Sequence, residues 1–238
     1  MLRVMDFGIR DYEEILQIQE RLFYSLVSSK KSGQAQNEYI LMGEHYPVIT
    51  LGRRGKEDNI LVGKEILDKE GVGLYHIGRG GDVTYHCPGQ LIVYPIFDME
   101  KHGIGVKEYV NILEESIIRL LNKYGIQGKR VDGATGVWVA ETSGEERKIC
   151  AMGIKCNRFC CMHGLALNVN SNLEGFKMIN PCGFINKGVT SMYNELHEKS
   201  IDFSESIKEL NIQEIKKEFL HIFLSLVFPF EEVFHFTE

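Results

Sequence analysis

Helices and strands interleave along this chain of 238 residues, yet tight turns join several of the strands. Those two observations predict an α/β (α+β) fold: a mixed, largely antiparallel central sheet flanked by helices, not a doubly wound parallel one. A composition 44% hydrophobic and 25% charged supplies enough apolar surface for a full core. No repeat, low-complexity tract or linker divides it, so a single domain over residues 1–238 is expected.

After a short opening strand, DYEEILQIQERLFYSLVSS places apolar residues at 12, 15, 16, 22, 23, 26 and 27, the spacing of one helix face. Asp11 and Glu14 form a capping-box-like start. EYILMGEH and VITLGRRG read as two strands around a turn at Tyr46-Pro47, and VGKEILDKEG as a short helix ending at Gly71. A strand then enters the glycine-bearing loop of GRGGDVTYHCPGQ and leaves as the alternating strand LIVYPI. In VKEYVNILEESIIRLLNKYG, residues Tyr109, Leu113, Ile117, Leu120, Leu121 and Tyr124 share one face of a second long helix, which stops at Gly125. TGVWVA and RKICAMGIKC read as a hairpin joined through the polar ETSGEE, and GLALNV supplies another strand. A last helix, from about Ile212 to Val227, covers the remaining face.

The formal net charge of −6 argues against a nucleic-acid binder, and any acidic partner must meet a local basic patch. No apolar run approaches the roughly 18 residues of a membrane span. The N-terminal MLRVMDFGIRDYEEIL is interrupted by charge too early for a secretory signal and is too acidic for a transit peptide, so a cytoplasmic protein is expected. Its six cysteines are then reduced thiols. Cys156, Cys160, Cys161 and His163 cluster in sequence but contain no Cys-x-x-Cys knuckle, so no metal is expected and small thiols filling two buried strands are.

Four stretches carry residues suited to chemistry. In GRGGDVTYHCPGQ, Gly78, Gly80 and Gly81 let the backbone approach a ligand, and Arg79, Asp82, Thr84, Tyr85, His86 and Gln90 crowd the same loop more densely than a turn requires. In RKICAMG, Lys148 stands at the start of an apolar strand; an ammonium close to a thiol favours the thiolate. In HGLALN, His163 reads as a histidine satisfied by backbone as readily as it reads as a base and a substrate contact taken together, while Gly164 and Ala166 leave room against a sheet. In FKMINPCGFINKG, Pro181 and Gly183 suit an exposed bend at Cys182, although a cysteine is more often a small buried hydrophobe.

Together and in this order, RGGDVTYHCPGQLIVYPI, KICAMGIK, HGLALNVN and INPCGF resemble the lipoyl(octanoyl) transferase family, over about residues 75 to 193. The resemblance implies a single acyltransferase catalytic domain with the fold of lipoate and biotin protein ligases. It implies that an octanoyl or lipoyl group moves from acyl carrier protein to a lysine of lipoyl domains, in 2-oxoacid dehydrogenase complexes and the glycine cleavage H protein. Cys182 is then the acyl-accepting nucleophile and Lys148 its activator. The implied acyl-binding residues are Arg79, Gly80, Gly81, Asp82, Val83, Thr84, Tyr85 and His86, then Ala151, Met152 and Gly153, then Gly164, Leu165 and Ala166 with His163 beside them. No cofactor is implied beyond the donor's phosphopantetheine, and a monomer is expected. Where the family usually has glycine after the first histidine this chain has Cys87, whose side chain could narrow the pocket or change the turn. Arg53 and Arg54, with Lys155, Arg158, Lys177 and Lys187, are the basic residues available for acidic partners. Two rival readings are an ATP-dependent ligase of the same fold, which needs no nucleophilic cysteine, and a non-catalytic acyl-binding relative.

Overall fold

The computed structural model describes residues 1–35, 37–140, 145–180, 188–199 and 210–228. In chain order its elements are β1 (Leu2–Arg10), α1 (Tyr12–Ser32), β2 (Glu38–His45), β3 (Val48–Leu51), α2 (Lys64–Lys69), β4 (Gly73–His76), β5 (Val83–His86) and β6 (Gln90–Ile96). They continue as α3 (Val106–Lys123), β7 (Gly128–Val131), β8 (Ala134–Ala140), β9 (Glu146–Asn157), β10 (Cys160–Asn168), α4 (Met192–Lys199) and α5 (Ile212–Val227). A seven-stranded sheet runs in the order β1-β2-β6-β10-β9-β8-β7, and a three-stranded sheet in the order β4-β3-β5. In the large sheet only β1 and β2 pair in parallel. In the small one β3 is parallel to β4 and antiparallel to β5. The expected mixed, largely antiparallel sheet is present, and no helix among the described residues is long and apolar enough to cross a membrane.

The alternation of β6 explains the layering. Leu91 and Val93 enter the core shared with Leu113, Ile117 and Leu120 of α3 and Phe219 and Phe223 of α5. Ile92, Tyr94 and Ile96 enter a second core with Ile15, Phe23 and Leu26 of α1. Successive strand side chains point to opposite faces, so a continuous apolar run belongs to a strand covered on both sides. A third cluster, including Ile49, Leu51, Val83, Tyr85 and Phe176, lies under the small sheet.

Two local expectations are corrected. The opening strand is nine residues long, because β1 pairs along β2 from Leu2 to Arg10 with an irregularity between Asp6 and Ile9. The capping box at Asp11 does not form: the Asp11 side chain makes no cap hydrogen bond, and Glu14 lies 3.8 Å from the Arg10 guanidinium instead. The helix still gains from Glu13 and Glu14 in its first turn and ends on Gly33 in the left-handed region. The β8 and β9 strands pair as the predicted hairpin, up to Ala140 opposite Glu146, while residues 141–144 of its turn lie outside the described residues.

Leu167 is fully buried in β10, packed between sheet and helices. Leu167→Ala is expected to lower unfolding free energy by roughly 2–5 kcal/mol, read from the urea midpoint at unchanged slope.

Candidate active site

The glycine-bearing loop is held between the two sheets. Gly52, Arg53 and Arg54, which follow β3, donate their amides to the carbonyls of Asp82, Arg79 and Gly81 at 3.0, 2.9 and 3.1 Å. On the other side the Gly80 amide donates to the Ile154 carbonyl of β9 at 2.8 Å. This approach needs glycine at two places. Gly81 has φ +90°, and a Cβ on Gly153 would meet the Gly80 carbonyl oxygen. Arg79 braces the loop from within: it is buried, and its guanidinium donates to the Thr50 carbonyl at 2.7 Å, Thr50 Oγ1 at 2.9 Å and the Gly80 carbonyl at 3.0 Å. Asp82 accepts from the Val83 amide at 2.7 Å and from Asn59 Nδ2 at 2.8 Å.

Between this loop and β6, β9 and β10 lies a cavity of about 470 Å³. Arg79, Gly80, Gly81, Asp82, Val83, Thr84 and His86 line it, as do Lys148, Ala151, Met152, Gly153, His163, Gly164, Leu165 and Ala166. Three sequence-distant motifs thus open onto one space. Tyr85 is the exception. It alternates to the opposite face of β5, packs its ring against Phe176 at 5.5 Å and belongs to the core of the small sheet. Cys87 also turns away from the cavity, buried in that same core with its Sγ 3.6 Å from the Asn172 carbonyl oxygen, so it does not narrow the pocket. Of the basic residues, Arg54 is exposed at the rim, Lys177 is paired with Glu174, and Lys187 lies outside the described residues. Lys155 stands over the rings of Phe23 and Tyr24.

Sequence reasoning named His86 and Gln90 but missed the other residues at the polar end of the cavity. Tyr12, the first residue of α1, and Tyr94 of β6 line it, together with Gln90 and Asn168. The alternation of LIVYPI could have flagged Tyr94 as facing α1, but nothing in the sequence brings Tyr12 to β6. The groups there satisfy one another. His45 Nδ1–H donates to the Arg10 carbonyl at 3.0 Å, leaving Nε2 to accept from the Tyr94 hydroxyl at 3.0 Å. His86 Nδ1–H donates to Gln90 Oε1 at 2.7 Å, and Gln90 Nε2 donates to Asn168 Oδ1 at 2.8 Å. Burial pushes the imidazoles of His86 and His163 down to about 3 and that of His45 to about 4, so all three are neutral near pH 7. His163 has φ +59° in the middle of β10, a region a non-glycine residue rarely occupies.

Lys148 is buried in β9 opposite Trp138, its ammonium 4.6 Å from the centre of the indole ring. The Trp138 Nε1–H donates to the Ala134 carbonyl at 3.0 Å, which fixes the ring. Cys182 lies outside the described residues, as do Pro181 and Gly183. The residues on either side are held: the Asn180 amide donates to the Asn59 carbonyl at 2.7 Å, and the Lys148 amide donates to the Gly188 carbonyl at 2.9 Å. The four residues once weighed as metal ligands do not converge. Cys160 joins the core under α1 and Cys161 the core under α3, on opposite faces of β10. Cys156 is exposed, contrary to the expectation of a wholly buried set, because it sits near the hairpin end of β9. Among the described residues no three His, Cys, Asp or Glu side chains form a metal site.

A catalytic domain of the lipoate and biotin protein ligase architecture is what this fold and cavity define. The model of the lipoyl protein ligase A/B catalytic domain matches residues 11–224, and the chain belongs to that family. An octanoyltransferase of Parabacteroides distasonis is 48% identical over 195 residues, which cover 82% of this chain and 88% of the relative. Among solved structures, a bipartite lipoate protein ligase from Thermoplasma acidophilum superposes with a TM-score of 0.60 at 15% identity, over 95% of this chain and 82% of that one. Biotin protein ligase from Aquifex aeolicus gives 0.54 at 13% identity, over 97% and 72%. At those identities the structural likeness speaks for the fold.

The three buried histidines generate a pH dependence whose sign follows from their lowered values. Unfolding exposes them to water, where each protonates near 6.5. Their contribution to stability is present above about pH 6.5 and is lost as pH falls toward 4. The urea midpoint is expected to fall between pH 7 and pH 4.5, with a smaller fall in His45→Gln. An identical slope in wild type and variant contradicts the assignment.

Proposed function

We propose that the chain is a single-domain octanoyltransferase of protein lipoylation that works through an acyl thioester on Cys182. The activity follows from the family and from octanoyltransferase relatives that match most of the chain. The observation that carries the mechanism is that Lys148 lines the same cavity as the glycine loop, Gly153 and Ala166, while its backbone is bonded to the residue that closes the Cys182 segment. A cavity of about 470 Å³ is within the range of small-molecule sites, with room for an acyl chain.

The chemistry needs few groups. The Cys182 thiolate attacks the carbonyl carbon of an octanoyl thioester on acyl carrier protein. The tetrahedral oxyanion then collapses with loss of the phosphopantetheine thiolate, leaving octanoyl-Cys182. One thioester replaces another, so little driving force is required. In the second half a lysine amine of a lipoyl domain attacks that thioester and gives up a proton, and the Cys182 thiolate leaves as the amide forms. An amide lies below a thioester in free energy, so ATP is not consumed. Lys148 favours the Cys182 thiolate as an ammonium, gives its proton to the departing phosphopantetheine thiolate, and as a neutral amine takes the proton of the attacking lysine. The neutral imidazoles of His86 and His163 add no competing positive charge to the acyl pocket. Arg53 and Arg54, exposed beside the loop, give a net acidic chain a local basic surface toward acidic carrier and lipoyl domains.

Incubation with octanoyl-acyl carrier protein is expected to add one octanoyl mass to the protein, absent in Cys182→Ala, as read by intact-mass spectrometry. A Cys182→Ser variant that turned over normally with ATP and free octanoate would instead establish the ligase reading. Lys148→Ala is expected to slow alkylation of Cys182 at neutral pH by about tenfold and at high pH much less. A parallel loss at every pH removes Lys148 from the activating role.

A further inference from the structure

Lys148 is paired with the segment that follows residues 181–187. Its amide donates to the Gly188 carbonyl at 2.9 Å and its carbonyl accepts from the Thr190 amide at 3.0 Å, a parallel bridge centred on Val189. Two backbone bonds do not fix a register, because a slip of two residues would restore both. The side chains fix it. Thr190 is fully buried, and its hydroxyl donates to Glu195 Oε1 at 2.7 Å. The same carboxylate oxygen lies 2.8 Å from the guanidinium of Arg147, the residue before Lys148. Asn168 Nδ2 donates to the Thr190 carbonyl at 2.9 Å, which continues the chain of bonds to Gln90 and His86 at the polar end of the cavity.

Glu195 is 3% exposed in the first turn of α4, where its amide donates to the Ser191 carbonyl at 3.0 Å. A carboxylate this deep persists because Arg147 neutralises it, and removal of either partner leaves a buried charge. Neither Glu195, Arg147 nor Thr190 lines the cavity. Their effect on a ligand is indirect, through the two chain segments they join.

We propose that Glu195 is a positioning residue: its buried carboxylate joins Arg147 to Thr190, sets the register of residues 188–190 against Lys148, and thereby sets the approach of the Lys148 ammonium to the Cys182 thiol. This inference rests on the acyl-enzyme reading above. Loss of the clamp should impair the reacting pair while leaving the cavity that receives the acyl chain intact, so kcat falls and KM holds.

The test is iodoacetamide alkylation of Cys182 across about pH 5.5 to 10, with the modified peptide located by mass mapping, alongside kcat and KM for octanoyl-acyl carrier protein. In Glu195→Ala and Thr190→Val the alkylation midpoint is expected to rise toward the free-thiol value of about 8.5, and kcat to fall by about tenfold or more, with KM changed less than about threefold. Glu195→Gln keeps an acceptor for Thr190 but not the charge that neutralises Arg147, and is expected to fall between wild type and Glu195→Ala in both. Thr190→Val is read alone if Glu195→Ala fails to show a cooperative melt. Folded variants with a wild-type midpoint overturn the proposal, even if kcat falls, since a purely structural role would give that result. If Lys148→Ala shifts the midpoint and the clamp variants do not, positioning by Glu195 fails and the activating lysine stands. If Lys148→Ala leaves the midpoint unchanged, both fail.

Discussion

The hydrogen bond from the Gly80 amide to the Ile154 carbonyl ties the loop before β5 of the small sheet to β9 of the large one, and the cavity lies where they meet. Without it the loop at 79–82 would be anchored on one side alone, to Thr50, the residues after β3 and Asn59. Close backbone approach has a steric condition, which Gly153 meets by presenting no Cβ to the Gly80 carbonyl oxygen, while Gly81 turns the loop at φ +90°. Arg79 then fills the remaining volume beneath the loop, with its charge spent on the carbonyls of Thr50 and Gly80. Arg79 is thereby a structural strut first, a role that a charged residue in a glycine loop does not advertise in sequence.

The same constraint organises the electrostatics of the site. Polar groups that line one end of the cavity are bonded: Tyr94 to His45 behind it, His86 to Gln90, and Gln90 to Asn168. Polar groups in a low-dielectric space are costly only when unpaired, so this wall can lie against an apolar chain without demanding water. The cationic side is different. Lys148 is placed on the face of Trp138, where the indole replaces part of the hydration an ammonium loses on burial.

Much of this was legible in the sequence, for physical reasons that differ from element to element. The 3.6-residue apolar period of α3 fixes which of its faces is covered, and that face is found buried as read, whereas β6, read as an alternating strand, is buried on both faces. The motif residues from Arg79 to His86, apart from Tyr85, come to one cavity with those of β9 and β10, because consecutive strands of a hairpin place their residues side by side. Tyr85 and Cys87 show where a contiguous motif misleads. A stretch of strand points alternate residues to opposite faces, and both of these serve the core of the small sheet. The contribution of Tyr12 is non-local, set by how α1 crosses the sheet, so no spacing could reveal it. The missing cap at Asp11 is a contest between two partners for Glu14, won by Arg10.

The two ends of the large sheet differ in kind, and the difference bears on assembly. β7 contributes only four residues, with Lys129 and Arg130 at its centre, too short and too charged to template another strand. β1 is long, with Val4 and Met5 exposed, and would be the more adhesive border. It is bent where Gly8 takes φ +61° and its amide turns inward to Asp6, and Asp6 is bonded in turn to Lys216 of α5. A flat, continuous edge invites strand addition, and a kinked or charged one resists it. Both borders of this sheet therefore discourage fusion with a neighbouring copy along the backbone.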